Sequence, residues 1–123
     1  MSYTINFWEV FIDNGRESTG IDISNWVQFV QDEGAGEILI TSIDRDGTEK
    51  GMDYSLIDTV NNVARIPVIY SGGCKGYKEI IDLVQKHDID AVAIGSILHY
   101  KKDTIRDIKL NLKENNILVA NNL

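Results

Sequence analysis

Three short turns in the chain contain the residue types of an anion-binding site. They are Asp46-Gly47, Gly72-Gly73 and Gly95-Ser96. Backbone N–H groups beside glycine, a serine hydroxyl and the first turn of a helix can all donate hydrogen bonds to an anion. A single Gly-Gly after a strand is more often just a tight turn, but three such turns in register favour a ligand. The predicted ligand is phosphate.

Each of these turns follows a segment that is predicted to be a buried strand. Ile38-Leu39-Ile40 is a continuous apolar run, typical of a strand buried on both faces of a parallel sheet, and residues 67–70 and 91–94 have the same character. The carboxyl ends of neighbouring parallel strands lie about 5 Å apart. The three turns should therefore meet at one edge of the sheet.

The acidic residues of the first turn have two interpretations. Asp44 and Asp46 alone would usually be solvated loop carboxylates or helix caps. A carboxylate fits poorly beside a bound phosphate unless it contacts another part of the ligand or acts as an acid or base. Asp46 is the one candidate catalytic residue, and no residue is assigned to a metal or a cofactor.

The elements that position these turns can be predicted from periodicity. Residues 4–21 predict a β-hairpin with its turn at Asp13-Asn14-Gly15. A helix from Asp22 or Ser24 to Glu33 follows, and its apolar stripe is expected to be core; that stripe consists of Trp26, Val27, Phe29 and Val30.

Three further helices are predicted, each after one of the strands. Asp53 or Ser55 caps the first, residues 75–86 form the second, and Asp103 or Thr104 caps the last. Their inward residues are expected to be Leu56, Ile57, Val60 and Val63 in the first, and Ile105, Ile108 and Leu112 in the last. The chain is thus predicted to be one α/β domain, residues 1–123, with βα units over residues 22–119 and right-handed crossovers.

Composition excludes several classes of function. The net charge of −7 and the pI near 4.7 disfavour nucleic-acid binding, because no basic patch is present to neutralise phosphates. No apolar segment approaches the ~20 residues that span a bilayer. Cys74 is the only cysteine, which makes the cytoplasm the expected location.

Longer runs of sequence resemble a known family. GAGEILITSIDRDGT, then GMD, IPVIYSGG and AVAIGSILHY, together with the hairpin NGRESTGID, are similar to the carboxyl-terminal half of the cyclase subunit of imidazole glycerol phosphate synthase. The resemblance implies half of a (β/α)₈ TIM barrel with three parallel barrel strands. It also implies a role in histidine biosynthesis, in which ammonia from a glutaminase partner closes an imidazole ring on a phosphoribulosyl formimino carboxamide ribonucleotide.

The resemblance also implies roles for individual residues. One substrate phosphate is expected at the three turns, at Asp46, Gly47, Gly72, Gly73, Gly95 and Ser96. Thr41 and Ser71 match strand-end positions that line the active site. Glu37, at the opposite end of its strand, matches a charged gate through which ammonia is thought to pass.

Departures from the family limit what this chain can do alone. The family's two essential aspartates lie on the first and fifth barrel strands, which precede the hairpin, so both are expected to be outside this chain. Cys74 replaces a small residue and has no evident base beside it. The chain is expected to be inactive alone and, because its sheet edges and inner face lack partners, to self-associate or pair with the missing half.

Two alternatives to a cyclase half remain open. The first is a stand-alone half-barrel that binds phosphate and oligomerises without catalysis. The second is a fragment of a cyclase paralogue that works with amidotransferases in surface-polysaccharide pathways. The Trp-Glu-Val-Phe segment of the hairpin resembles the sequences of those paralogues.

Overall fold

The computed structural model of the protein describes residues 7–120, which alternate between strands and helices after an initial hairpin. The elements are β1 (Glu9–Ile12), β2 (Glu17–Asp22), α1 (Ile23–Asp32), β3 (Ile38–Thr41), α2 (Tyr54–Asn61), β4 (Val68–Ser71), α3 (Tyr77–His87), β5 (Ala91–Ala93), α4 (Ser96–His99) and α5 (Ile105–Glu114). This order is the one predicted, with α4 as an additional single turn of helix. Residues 4–6 of the predicted hairpin lie outside the described residues.

The described chain divides into two compact units. The first comprises residues 7–38 and 54–67 and contains the hairpin, α1 and α2. The second comprises residues 39–53 and 68–120 and contains most of the parallel sheet, α3, α4 and α5.

In the first unit, the hairpin turns where the sequence predicts. β1 pairs antiparallel with β2, and Asp13, Asn14 and Gly15 all adopt positive φ, as residue types tolerant of that region do. Helix α1 starts directly after β2, because the Asp22 carboxylate accepts hydrogen bonds from the N–H groups of Ser24 and Asn25. Asp22, and not Ser24, is therefore the N-cap.

The prediction that the Trp26 stripe of α1 is core is wrong for Trp26 and Phe29, while Val30 is half-buried. Val27 is fully buried, whereas Trp26 is 38% exposed and Phe29 is 51% exposed. Trp26 and Phe29 are three residues apart and share a helix face, where their rings stack at 5.3 Å between centroids. The apolar stripe of α1 is thus wider than the face that packs in its unit.

The three barrel-type strands form one parallel sheet in the order β3-β4-β5. β4 pairs with β5 from Ile69 opposite Ala91 to Ser71 opposite Ala93. β3 pairs with β4 at a constant difference in residue number. The Ile38 N–H donates to the Pro67 carbonyl and the Ser42 N–H donates to the Ser71 carbonyl, each at 3.0 Å. A constant offset is the register of a parallel pair.

Burial along β3 differs from the prediction of a strand buried on both faces. Ile40 is buried, but Leu39 is 62% exposed. Because side chains alternate along a strand, these two residues point to opposite faces of the sheet. One face of β3 is therefore covered and the other is not.

The helices that follow the strands bury narrower faces than predicted. Leu56, Ile57 and Val60 of α2 are buried in the core; Val63 lies beyond the helix and is half-buried. α3 begins at Tyr77, two residues later than predicted, because Gly76 takes the position before the first turn.

Helix α5, in the second unit, also buries fewer residues than predicted. It is capped by Thr104, whose hydroxyl accepts from the Asp107 N–H, and it buries Ile108 and Leu112. Ile105, the first residue of the helix, is predicted to face inward but is 54% exposed. Within residues 7–120, none of the helices is long and apolar enough to cross a membrane.

Candidate functional site

The three turns predicted to meet do line one pocket, which lies in the second unit. The pocket has a cavity volume of about 30 Å³ and is open to solvent. It is lined by Asp46, Gly47, Glu49, Ser71, Gly72, Gly73, Cys74, Ala93, Ile94, Gly95 and Ser96. The lining follows the carboxyl ends of β3, β4 and β5, where ligands bind in parallel α/β folds.

The turn after β4 approaches the loop after β3 so closely that only glycine fits. Gly72 and Gly73 have φ of +105° and +88°. A Cβ on Gly73 would lie 2.4 Å from the carbonyl oxygen of Gly51, and one on Gly72 would lie 2.8 Å from that of Ser42. Glycine at these two positions therefore allows the two segments to approach, and both residues line the pocket.

The loop after β3 is held by its own backbone. The N–H groups of Arg45 and Asp46 both donate to the carbonyl of Ser42, at 3.2 and 2.9 Å. The Thr48 hydroxyl donates to the Arg45 carbonyl at 2.7 Å. The Asp46 side chain is left exposed at the pocket by this turn.

A second carboxylate at the pocket, that of Glu49, forms an ion pair with Lys102. Lys102 belongs to the segment between α4 and α5, so the ion pair joins that segment to the loop after β3. Because a cation adjacent to Glu49 offsets its negative charge, the pocket is less repulsive to an anion than its two carboxylates alone would make it.

Glu79 is a residue that the sequence reasoning missed. It is 6% exposed, and its two carboxylate oxygens accept from the N–H groups of Met52 at 3.2 Å and Lys75 at 2.9 Å. Met52 ends the loop after β3, and Lys75 follows the turn after β4. The signal was its helical spacing of four residues from the buried Leu83, which places a carboxylate on the inner face of α3.

Cys74 lies in the pocket lining as an inert thiol. Burial raises the pKa of Cys74 from 9.0 to about 11, and the negative charge of Glu79 adds to this increase. A thiol with a raised pKa is a poor nucleophile. This agrees with the prediction that Cys74 is a small packing residue.

The remaining candidate residues are placed as follows. Ser71 ends β4 and lines the pocket, whereas Thr41 ends β3, is exposed, and lies outside the pocket lining. Glu37 is exposed, directly before β3, and belongs to the first unit. Within residues 7–120, no group of three or more His, Cys, Asp or Glu side chains could hold a metal ion.

Together, the pocket groups suit hydrogen bonding to an anion better than proton transfer. The Ser96 hydroxyl, which can donate to a ligand, lies in the pocket lining at the start of α4. The glycine turns add backbone that a ligand can approach closely. Asp46 is the one pocket carboxylate for which an acid or base role was predicted.

Three relatives of this chain, from different organisms, carry the same name. Imidazole glycerol phosphate synthase subunit HisF of Prochlorococcus marinus strain AS9601 is 44% identical over 112 residues, covering 91% of this chain and 44% of the relative. The subunit of the same name from Methanococcus maripaludis strain C5 is 43% identical over 113 residues, covering 92% and 42%. That of Bacillus cereus strain AH187 is 44% identical over 112 residues, covering 91% and 44%.

The chain thus spans less than half the length of the relatives it matches. The sequence pattern of the family described as histidine biosynthesis protein matches residues 2–104. The match includes all three strands whose ends line the pocket. The chain therefore belongs to the histidine biosynthesis protein family, and its α/β fold is half of that family's TIM barrel.

Proposed function

We propose that the chain is the carboxyl-terminal half of an imidazole glycerol phosphate synthase cyclase and that its pocket binds one phosphate group of the ribonucleotide substrate. The observation that carries this proposal is the convergence of the turns after β3, β4 and β5 on one pocket. The similarity to three HisF subunits over more than 90% of the chain supports the choice of family.

The chemistry of the pocket supports phosphate over a cationic ligand. The glycine turns bring main chain to the pocket and Ser96 adds a hydroxyl, and a phosphate accepts hydrogen bonds from such N–H and O–H groups. The ion pair of Glu49 with Lys102 reduces the negative charge near the pocket. Asp46 would then contact a different part of the substrate.

Binding of inorganic phosphate tests the proposal directly. Titration of the ¹⁵N-labelled chain with sodium phosphate is expected to shift the amide signals of Gly47, Gly73 and Ser96 together. Sodium chloride at the same ionic strength serves as the control for a salt effect. Absence of saturable shifts at these residues would contradict the assignment.

Two charge-adding variants sharpen the test. Gly95→Asp, at a position with open space for a side chain, and Ser96→Asp place a carboxylate at the pocket and should weaken phosphate binding by about tenfold or more, since like charges in a partly buried site repel. Gln85→Glu adds the same charge on the exposed surface of α3 and should leave the affinity unchanged. Equal affinities in all three variants would contradict the assignment.

We propose that the chain alone is catalytically inactive. The family's two essential aspartates are expected on strands outside this chain, and Asp46 is the one candidate catalytic residue within it. Incubation of the chain with the ribonucleotide substrate and ammonium chloride should therefore give no imidazole glycerol phosphate. Measurable turnover that Asp46→Asn abolishes would instead make Asp46 catalytic.

The other roles proposed for the whole enzyme require the missing half and its partner. We propose that Thr41 and Ser71 line the active site, that Glu37 belongs to an ammonia gate, and that a glutaminase subunit supplies the ammonia. We also propose a cytoplasmic location, supported by the single cysteine of the chain. Ammonia transfer can be measured after the missing half and a glutaminase are added.

The uncovered face of β3 favours one alternative, a half-barrel module that self-associates. Leu39 is largely exposed, and an apolar side chain on a sheet face is stabilised by a partner surface. Light scattering after size-exclusion chromatography is expected to give a mass above that of the 13.8 kDa monomer. Leu39→Lys should lower it; a stable dilute monomer for the parent chain would contradict self-association.

A further inference from the structure

We infer that Glu79 is a positioning residue whose buried carboxylate holds the loops after β3 and β4 in the conformation that forms the phosphate pocket. The inference rests on the proposed phosphate-binding function and assigns to it a residue that does not line the pocket. Its basis is the pair of hydrogen bonds from Met52 and Lys75 to the two oxygens of one carboxylate.

Burial makes these two hydrogen bonds important. Removing a carboxylate from water is costly unless its oxygens accept hydrogen bonds, and backbone N–H groups that donate to an ionised acceptor form the stronger class of bond. Among residues 7–120, Glu79 is the one charged residue that is buried. Met52 is itself only 2% exposed. Loss of the carboxylate would leave a buried backbone donor without this acceptor.

The two donors belong to the segments that build the pocket. Met52 directly follows Gly51, whose N–H donates to the Gly73 carbonyl at 2.8 Å. Lys75 directly follows Cys74, which lines the pocket. One side chain on α3 therefore fixes both loops next to the point where their backbones touch.

Removing the charge of Glu79 would have opposite effects on phosphate affinity if Glu79 acted only through its charge and if it positions the loops. Glu79 is negative and lies close to a pocket proposed to bind an anion, so Glu79→Gln as a charge change should strengthen phosphate binding. As a positioning change, the same substitution should weaken binding, because glutamine offers one acceptor oxygen for two N–H donors. The sign of the affinity change separates the two interpretations.

The experiment compares Glu79→Gln with Asp82→Asn in the full 123-residue chain. Asp82 is on the same helix, and Asp82→Asn removes the same charge. Asp82 forms an exposed ion pair with Lys86 that should contribute little to stability. The amide hydrogen exchange rates of Met52 and Lys75 measure how well the two loops are held, and titration with inorganic phosphate measures the affinity of the pocket.

For Glu79→Gln, exchange at Met52 and Lys75 should be about tenfold faster and phosphate affinity about tenfold weaker, the size expected for one charge-assisted hydrogen bond. Asp82→Asn should change neither. Unchanged exchange, or equal or tighter phosphate binding with Glu79→Gln, would overturn the inference even if the melting temperature falls.

The outcomes for Glu79 and for phosphate binding can be separated. If the parent chain binds no phosphate, the proposed function fails, while the exchange rates still decide whether Glu79 holds the loops. If Glu79→Gln does not fold, Glu79→Asp is measured instead, because it keeps the charge but is too short to reach both donors. Parent-like exchange in that variant would overturn the inference.

Discussion

The backbone N–H of Gly51 donates to the backbone carbonyl of Gly73 over 2.8 Å, joining the loop after β3 to the turn after β4. The same contact leaves no space for a side chain on Gly73. The wall of the candidate phosphate pocket is thus set by main-chain packing between two segments that are far apart in the sequence.

Gly73→Ala is expected to lower the free energy of unfolding by more than ~2 kcal/mol, because the new Cβ would clash with backbone and the residue has positive φ. Gly95→Ala is the matched control in the same pocket, with no atom within 4 Å of its Cβ, and should cost less than ~1 kcal/mol. Urea unfolding measures both. Equal costs would contradict the close approach seen at Gly73.

Cys74 should make stability depend on alkaline pH. The unfolded thiol loses its proton near 9.0, whereas burial raises the pKa of the folded thiol to about 11. The unfolded state therefore binds fewer protons between these pH values, and the free energy of unfolding should fall across that window, by up to ~3 kcal/mol. Below pH 9 this contribution is fully present.

Comparison with Cys74→Ala isolates this effect from the titration of tyrosines and lysines in the same range. The variant should lose less stability than the parent between pH 9 and pH 11 in thermal unfolding. Parallel curves would show that Cys74 does not cause the dependence. The parent thiol should also react slowly with iodoacetamide at pH 8 until the protein is unfolded.

Lys102→Gln is expected to weaken phosphate binding several-fold, because it leaves the Glu49 carboxylate at the pocket without its cation. Lys101→Gln removes the same charge from the neighbouring exposed residue and should have little effect. Adding Glu49→Gln to Lys102→Gln should restore most of the affinity. A double variant as weak as Lys102→Gln would rule out the proposed charge compensation.

In the first unit, two adjacent residues should differ in their contributions to stability. The Gln31 side chain donates to the Val63 carbonyl at 3.2 Å and accepts from the Arg65 N–H. Asp32 forms an exposed ion pair with the Arg65 side chain. Gln31→Ala should cost ~1–2 kcal/mol and Asp32→Ala less than ~1 kcal/mol by thermal unfolding; the reverse order would contradict this assignment.

The sequence was sufficient to predict the elements and the meeting of the three turns. These features depend on local periodicity, on turn residues such as Asp13 and Asn14, and on the general rule that parallel strands end at one edge. The cap of α5 at Thr104 is equally local. The α/β fold as half of a TIM barrel followed from motifs that the comparisons with relatives confirm.

Burial and long-range hydrogen bonds could not be predicted in the same way. Leu39, Phe29 and Ile105 are apolar at helical or strand spacing, yet exposure depends on which neighbours cover each face. The hydrogen bond from Met52 to Glu79 joins residues 27 positions apart. Periodicity marks a face as apolar or polar but does not specify its partner.

Asp22 closes the hairpin and opens the helix after it, since it pairs with Glu9 and its carboxylate caps α1. Strand and helix consequently share one residue, and the chain has no spare length there to absorb an insertion. Adding Gly-Ser between Asp22 and Ile23 would break either the backbone pairing of Asp22 with Glu9 or the capping of α1 by its carboxylate. Circular permutation or domain insertion should therefore be tolerated at the Asp13-Asn14 tip but not at this junction.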